Sequence, residues 1–348
     1  MKRSALCTLI LVTAACSGDR SSTATSRLEP PPAPAAVLAP LVGDYAAVTD
    51  TLSILEDSGS LHLKRWHAEE HVLSATTDST FVLASAGSPG GGAVSPAATL
   101  AFRRDSAGGV TAFAMSDSVF DRLRFAPEDG SQFRITPLKS QEELRREAMG
   151  ATPPKEEGDF LPPDLVELVT LDSAIKLDIR YATTNNFMGE PFYSQARAFL
   201  QRPAAEAVVR ANQWLMQRGY GLLVHDGYRP WYVTKMFWDA TPESLKVFVA
   251  DPANGSRHNR GCAVDLTLYD LATGKPVVMP GGYDEMSPRS YEDYPGGTAR
   301  QRWFRALLRQ AMEAQGFAVY EAEWWHFDYK DWRRYRIGNE PFEEIGAH

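Results

Sequence analysis

From about Leu41 to Pro137 the apolar residues come in short, often alternating runs. Examples are Leu61-His62-Leu63, Phe81-Val82-Leu83 and Val110-Thr111-Ala112-Phe113-Ala114-Met115, set apart by Gly, Ser and Asp. Alternation with a period of two, broken by turn-forming residues, predicts a small antiparallel β domain. After Asp164 the pattern changes. Apolar residues recur at helical spacing over Ala204 to Arg218 and again over Gln301 to Gln315, with Gly219 and Gly316 placed as stops. Leu222-Leu223-Val224, Ala263 to Leu268, Phe317 to Tyr320 and Trp325 to Tyr329 read as strands of one sheet. The expected fold of this second part is α+β, a central antiparallel sheet with flanking helices.

The rest of the chain reads as address and connection. Residues 1–16 run from Met1-Lys2-Arg3 through a short apolar block to Cys16, the layout of an export signal and too short to span a bilayer. Thr13-Ala14-Ala15-Cys16 resembles a bacterial lipobox, which implies acylation of Cys16; plain secretion is the alternative. Ser17 would then permit sorting to the outer membrane. Residues 17–40, rich in Ser, Thr, Ala and Pro, read as an extended tether that holds the enzyme off a membrane. The β domain is expected over 41–138, a charged, Pro-containing linker over 139–163, and the second domain over 164–348. The glycine-bounded strands of the β domain resemble small lipocalin-like modules appended to exported hydrolases, and no chemistry is assigned to them.

Composition narrows the partners. In 348 residues, 44% are apolar and 23% charged, ordinary globular material, and the formal net charge is −8. An acidic chain without a basic patch argues against nucleic acid and anionic membrane surfaces. Membrane contact is therefore expected only through the lipid anchor, and the oligomeric state is left open. Of the three cysteines, Cys7 and Cys16 fall in the signal, so Cys262 is alone in the mature body and no internal disulfide forms.

The chemistry concentrates in Ser256-Arg257-His258-Asn259-Arg260-Gly261-Cys262-Ala263-Val264-Asp265 and, about 60 residues on, Glu323-Trp324-Trp325-His326. Two imidazoles and one carboxylate, from His258, Asp265 and His326, match a catalytic zinc site with a fourth position open to water. Glu323 is then placed to take a proton from that water. Gly261 lets the loop fold His258 back over the strand of Asp265. On a straight strand Glu323 would face away from His326, so a bend is expected there. Cys262 reads as a small buried neighbour rather than a ligand. Glu321 lies close to Glu323 but lacks the three-residue spacing to His326. In the β domain, His67-Ala68-Glu69-Glu70-His71 imitates a metal motif but sits in strand-rich sequence and reads as solvated surface. Trp303, Trp324 and Trp325 read as core.

Together with His225-Asp226-Gly227-Tyr228-Arg229-Pro230, Asp178-Ile179-Arg180-Tyr181-Ala182-Thr183 and Asn186-Phe187-Met188-Gly189, these motifs resemble the VanX-type zinc D-alanyl-D-alanine dipeptidases. That family belongs to a fold group shared with D,D-carboxypeptidases and hedgehog-type domains. The resemblance covers about Leu165 to Tyr335. It implies one zinc on His258, Asp265 and His326, Glu323 as general base and Arg229 as the essential arginine, which would hold the oxyanion. It also implies that Ser256 hydrogen-bonds the substrate and that Asp284, with Glu285 beside it, recognises the free amine of a dipeptide. The bland alternatives are a surface ion pair for Arg229 and a loop-capping hydroxyl for Ser256. The expectation is an exported D-Ala-D-Ala dipeptidase of peptidoglycan turnover or scavenging. A D,D-carboxypeptidase acting on stem peptides and a zinc-containing wall-binding module are the competing readings. Histidine and carboxylate ligands also suit cobalt or nickel.

Overall fold

The computed structural model describes residues 27–83, 98–126 and 131–345. The signal segment and Cys16 lie outside them.

Eight strands form a closed barrel: β1 Gly43–Ala46, β2 Thr51–Asp57, β3 Ser60–Lys64, β4 Glu70–Ala75, β5 Thr80–Leu83, β6 Thr99–Arg104, β7 Val110–Met115 and β8 Ser118–Arg122. Each pairs antiparallel with the next, and β8 returns to β1. Alternation dictates the fold. In β6, Leu100 and Phe102 point inward while Thr99, Ala101 and Arg103 face solvent. The interior is filled by side chains, with Tyr45, Phe102 and Phe113 meeting at ring separations of 5.0 to 5.9 Å. A filled eight-stranded barrel is compatible with a lipocalin-like module. The His67–His71 segment runs into β4, with His67 exposed, as its strand-rich setting implied.

The second unit contains helices α1 Gln141–Met149, α2 Leu168–Leu171, α3 Arg202–Met216, α4 Trp231–Ala240 and α5 Ala299–Glu313, and strands β9 Leu165–Glu167, β10 Lys176–Leu177, β11 Phe199–Gln201, β12 Tyr220–Asp226, β13 Ala263–Asp270, β14 Phe317–Tyr320 and β15 Glu323–Tyr329. Helices α3 and α5 lie within two residues of their expected spans, and Gly219 and Gly316 follow them with φ of 89° and 87°.

Three expectations change. The central sheet, in order β10-β12-β13-β15-β14, is mixed rather than purely antiparallel, because β10 runs parallel to β12. The connection between them passes through α3, and a parallel neighbour requires such a crossover. Residues 139–163 are not a free linker: Leu144 and Ala148 of α1 enter the main core, and Glu156 accepts from Arg260 at 2.6 Å. The described part of the expected tether is docked as well. Arg27 donates to Asp270 at 2.5 Å and lies over the Tyr220 ring, and Leu38 packs against the barrel core. A guanidinium that meets a carboxylate and an aromatic face together can hold an extended Pro-rich segment against the body.

Candidate active site

Strands β12 and β13 lie inside the sheet and are buried almost throughout, so any ionisable side chain they carry must find partners. Asp265 of β13 stands directly opposite His326 of β15. His258 comes from a single 3-10 turn, His258–Arg260, closed by Gly261 at φ 65° and ψ 28°. The left-handed turn is what favours glycine here; a Cβ would also meet Leu165 Cδ2 at 2.5 Å, a side-chain end that could shift.

These elements bring three acceptor atoms together. His258 Nε2 and His326 Nδ1 are 3.1 Å apart, and Asp265 Oδ1 lies 3.3 Å from the first and 3.1 Å from the second. The outer contacts orient the rings. His258 Nδ1 lies 2.7 Å from the Gly227 carbonyl, which can only accept, so this ring donates outward and turns Nε2 to the centre. His326 Nε2 lies 2.9 Å from Asp328 Oδ1, and donation there would leave Nδ1 for a metal, as in metal-binding histidines. Tyr283 donates to Asp265 Oδ2 at 3.0 Å, leaving Oδ1 aimed inward. Ligands of a tetrahedral zinc at about 2.0–2.1 Å stand about 3.3 Å from one another, so the triad fits such an ion. Among the described residues it is the one cluster whose ligand atoms lie this close.

Electrostatics agree. Burial opposes the charge on Asp265, but His258 and His326 outweigh it and hold the carboxyl well below its usual range. Burial likewise opposes charge on His326, but Asp328 and Asp265 raise its pKa well above that of a free imidazole. Positive charge is wanted at the centre, and a metal cation supplies it.

Glu323 reaches the site through a bulge. Val319 of β14 pairs with Phe327, and the next residue, Tyr320, pairs with Glu323, so one step on β14 answers four on β15. This is the expected bend, and it places Glu323 Oε2 3.6 Å from His326 Nδ1. Burial pushes the Glu323 carboxyl up to about 7, a value suited to a base working near neutral pH. Glu321 is exposed and does not line the cleft. Cys262 is buried, its thiol pushed up to about 12 by burial, and stands outside the triad.

Arg229 forms an ion pair, but a buried one. Its guanidinium donates to Asp226 at 2.9 Å and lies over the rings of Tyr181 and Phe237. Asp226 also accepts from Tyr193 and from the Gly227 amide. Asp226 was not singled out from the sequence, although its position three residues before Arg229 was the available signal. Ser256 Oγ accepts from the His258 amide at 3.2 Å, so one side chain both caps the ligand loop and lines the cleft. Asp284 also lines the cleft and accepts from the Tyr181 hydroxyl at 2.9 Å, with its backbone at φ 55°. Tyr181 lay within the Asp178 to Thr183 motif but was given no role, since its partner lies 103 residues away. Glu285 is turned away, bound by Arg289 at 2.6 and 2.8 Å.

The cleft encloses about 110 Å³ and is walled on the far side by Val247 to Ala250. It gathers Asp265, Asp284, Glu323 and Asp328 against Arg229 and Arg257, an excess of negative charge that favours cations. Burial and the neighbouring acids Asp265 and Glu323 raise the Asp284 pKa well above the usual range, so an ammonium group there would supply a missing counter-charge.

The D-ala-D-ala dipeptidase family matches residues 163–342, which include every residue of this cleft. Among known proteins, the D-alanyl-D-alanine dipeptidase of Escherichia coli is 34% identical over 165 residues, covering 47% of this chain and 84% of the relative. That of Streptomyces coelicolor is 37% identical and covers 50% and 93%, and that of Enterococcus faecium is 36% identical and covers 45% and 87%. Cleft and comparisons thus converge on one conclusion: this chain is a peptidase of the D-ala-D-ala dipeptidase family.

Proposed function

We propose that the enzyme is a zinc dipeptidase that hydrolyses D-Ala-D-Ala to D-alanine. The observation that carries this reading is the convergence of His258 Nε2, Asp265 Oδ1 and His326 Nδ1 within 3.1–3.3 Å of one another, in a cleft that also holds Glu323 and Asp284. A zinc ion on these three residues would act as a Lewis acid and lower the pKa of water from about 15.7 toward about 7. The chain's own groups do the rest. Glu323 takes the proton of the attacking water and passes it to the leaving amine. Arg229, held rigid by Asp226, offers its guanidinium to the oxyanion of the tetrahedral intermediate. Asp284, oriented by Tyr181, receives the substrate ammonium, and the Ser256 hydroxyl hydrogen-bonds the peptide. An acid that caps the amino end favours a free dipeptide over a longer stem peptide.

The export signal and the lipobox-like end at Cys16 support a periplasmic lipoprotein working in wall turnover or scavenging. The test is D-alanine release from D-Ala-D-Ala by the mature protein, with and without chelator, beside Glu323→Gln and a wall pentapeptide. The expected result is turnover of the dipeptide alone, abolished by chelator and by the substitution. Activity on the pentapeptide alone would replace this reading with a D,D-carboxypeptidase.

A further inference from the structure

Among the described residues of strands β1 to β8, the buried polar side chains are Asp44, Ser53 and Glu56. All three sit where the barrel meets the segment from Pro280 to Thr298, which carries Tyr283 and Asp284. Asp44 is 5% exposed. It accepts from Ser53 at 2.5 Å with one oxygen and from the Tyr294 hydroxyl at 2.6 Å with the other. Glu56, at 2% exposure, donates its amide to the Gly297 carbonyl at 3.1 Å, and its carboxylate accepts from Ala299 N at the start of α5. Arg302 closes the joint by donating to the carbonyls of Gly297 and Glu56.

From there the segment is folded tightly back to the cleft. Arg289 binds both oxygens of Glu285, and Glu285 accepts from the Gly282 amide at 3.0 Å and from Ser287 Oγ at 2.6 Å. Gly281 packs so closely on the Arg289 carbonyl that a Cβ would come within 2.7 Å. On the other side, Gln132, which follows the barrel in the chain, donates to the Tyr283 carbonyl at 2.6 Å. Tyr283 then buttresses Asp265, and Asp284 sits at φ 55°, a left-handed turn conformation that aspartate tolerates, with its carboxylate held by Tyr181.

We propose that the barrel is a positioning element of the active site: Asp44 and Glu56 anchor the Pro280–Thr298 segment so that Tyr283 and Asp284 stay where substrate binding needs them. The proposal rests on the assignment of Asp284 to the substrate amine. Asp44 and Glu56 touch no substrate and act through the segment. Buried carboxylates are costly unless hydrogen-bonded; Asp44 and Glu56 each give one oxygen to the barrel, at Ser53 and the Gly59 amide, and the other to the joint.

The test uses the full mature protein with Asp44→Leu, Asp44→Asn and Tyr294→Phe, beside Phe113→Leu as a barrel-core substitution far from the joint. Asp44→Leu is expected to raise KM for D-Ala-D-Ala about tenfold while kcat moves less than about threefold; misplacement of 1 Å can cost up to about 10²-fold. Asp44→Asn, which still accepts from Tyr294, should recover most of the loss, and Phe113→Leu should lower the melting temperature and leave KM alone. Hydrogen exchange provides a readout free of substrate: amides 282–286 exchange faster in Asp44→Leu, while those of β12 and β13 do not. An unchanged KM and unchanged exchange in folded Asp44→Leu overturn the proposal, as does a KM rise in Phe113→Leu equal to that in Asp44→Leu. If the wild type fails to cleave the dipeptide, the substrate reading fails, and the exchange result alone decides the positioning role.

Discussion

Away from the joint at Asp44, Ser53 and Glu56, the side chains buried in the barrel strands are apolar, whereas the peptidase unit adds buried charges to its apolar core. Inside the barrel the contacts are aromatic and aliphatic, with Tyr45, Phe81, Phe102, Phe113 and Phe120 forming one cluster. In the peptidase unit the inner strands carry His225, Asp226 and Asp265, and Arg229, His258 and His326 are buried around them. Packing alone accounts for the first. In the second, buried charges answer one another, and the acids Asp265, Asp284, Glu323 and Asp328 gather in the cleft where the proposed metal and substrate ammonium would bind. A buried network of charges is a poor way to gain stability and a good way to hold reacting groups at fixed distances.

Substitutions can break this contrast in order of expected effect. Glu323→Gln should lower kcat by at least about 10² without loss of the metal, as steady-state kinetics beside metal analysis would show. Asp226→Asn removes the counter-charge of a buried guanidinium. It should cost about 3–5 kcal/mol in denaturant unfolding and reduce kcat as well, since Arg229 loses its orientation. Phe113→Ala should cost a similar amount of stability, about 3–5 kcal/mol, by leaving a cavity in the barrel. The difference lies in the kinetics: Phe113→Ala leaves kcat unchanged in the folded protein, and an equal loss of kcat in both variants would end the contrast. Asp328→Asn keeps the fold and should weaken metal binding by about 10–100-fold in a competition titration, because His326 exchanges a charged acceptor for a neutral one. Smallest of all, Cys262→Ala should leave metal content and turnover as they are and cost about 1 kcal/mol, as a buried neighbour would.

Much of the site was legible because its residues lie in short motifs. His258 and Asp265 flank Gly261 within one loop and strand, and Glu323 and His326 lie within one turn of sequence. The bend at Glu323 was readable from a conflict, since alternation placed base and ligand on opposite faces. Tyr181, Tyr193 and Tyr283 were not legible as site residues, because a tyrosine whose hydroxyl meets a carboxylate across the fold looks like any core aromatic. The docking of residues 27–40 and 139–163 was missed for a related reason. Pro-rich and charged composition describes how a segment behaves alone, not what waits for it on a neighbouring surface.

The sequence by itself marked three runs that lie in strands of the barrel, the two long helices with their glycine stops, and His258, Asp265, Glu323 and His326 as one candidate site, because period, turn chemistry and residue type are local properties. Only the tertiary structure decided the parallel edge strand, the contact that orients His258, and the joint through which Asp44 and Glu56 meet the Pro280–Thr298 segment. Each of these joins residues far apart in the chain, 31 positions for the Gly227 carbonyl on His258 and 250 for the Tyr294 hydroxyl on Asp44, and such partners leave no mark on the local pattern.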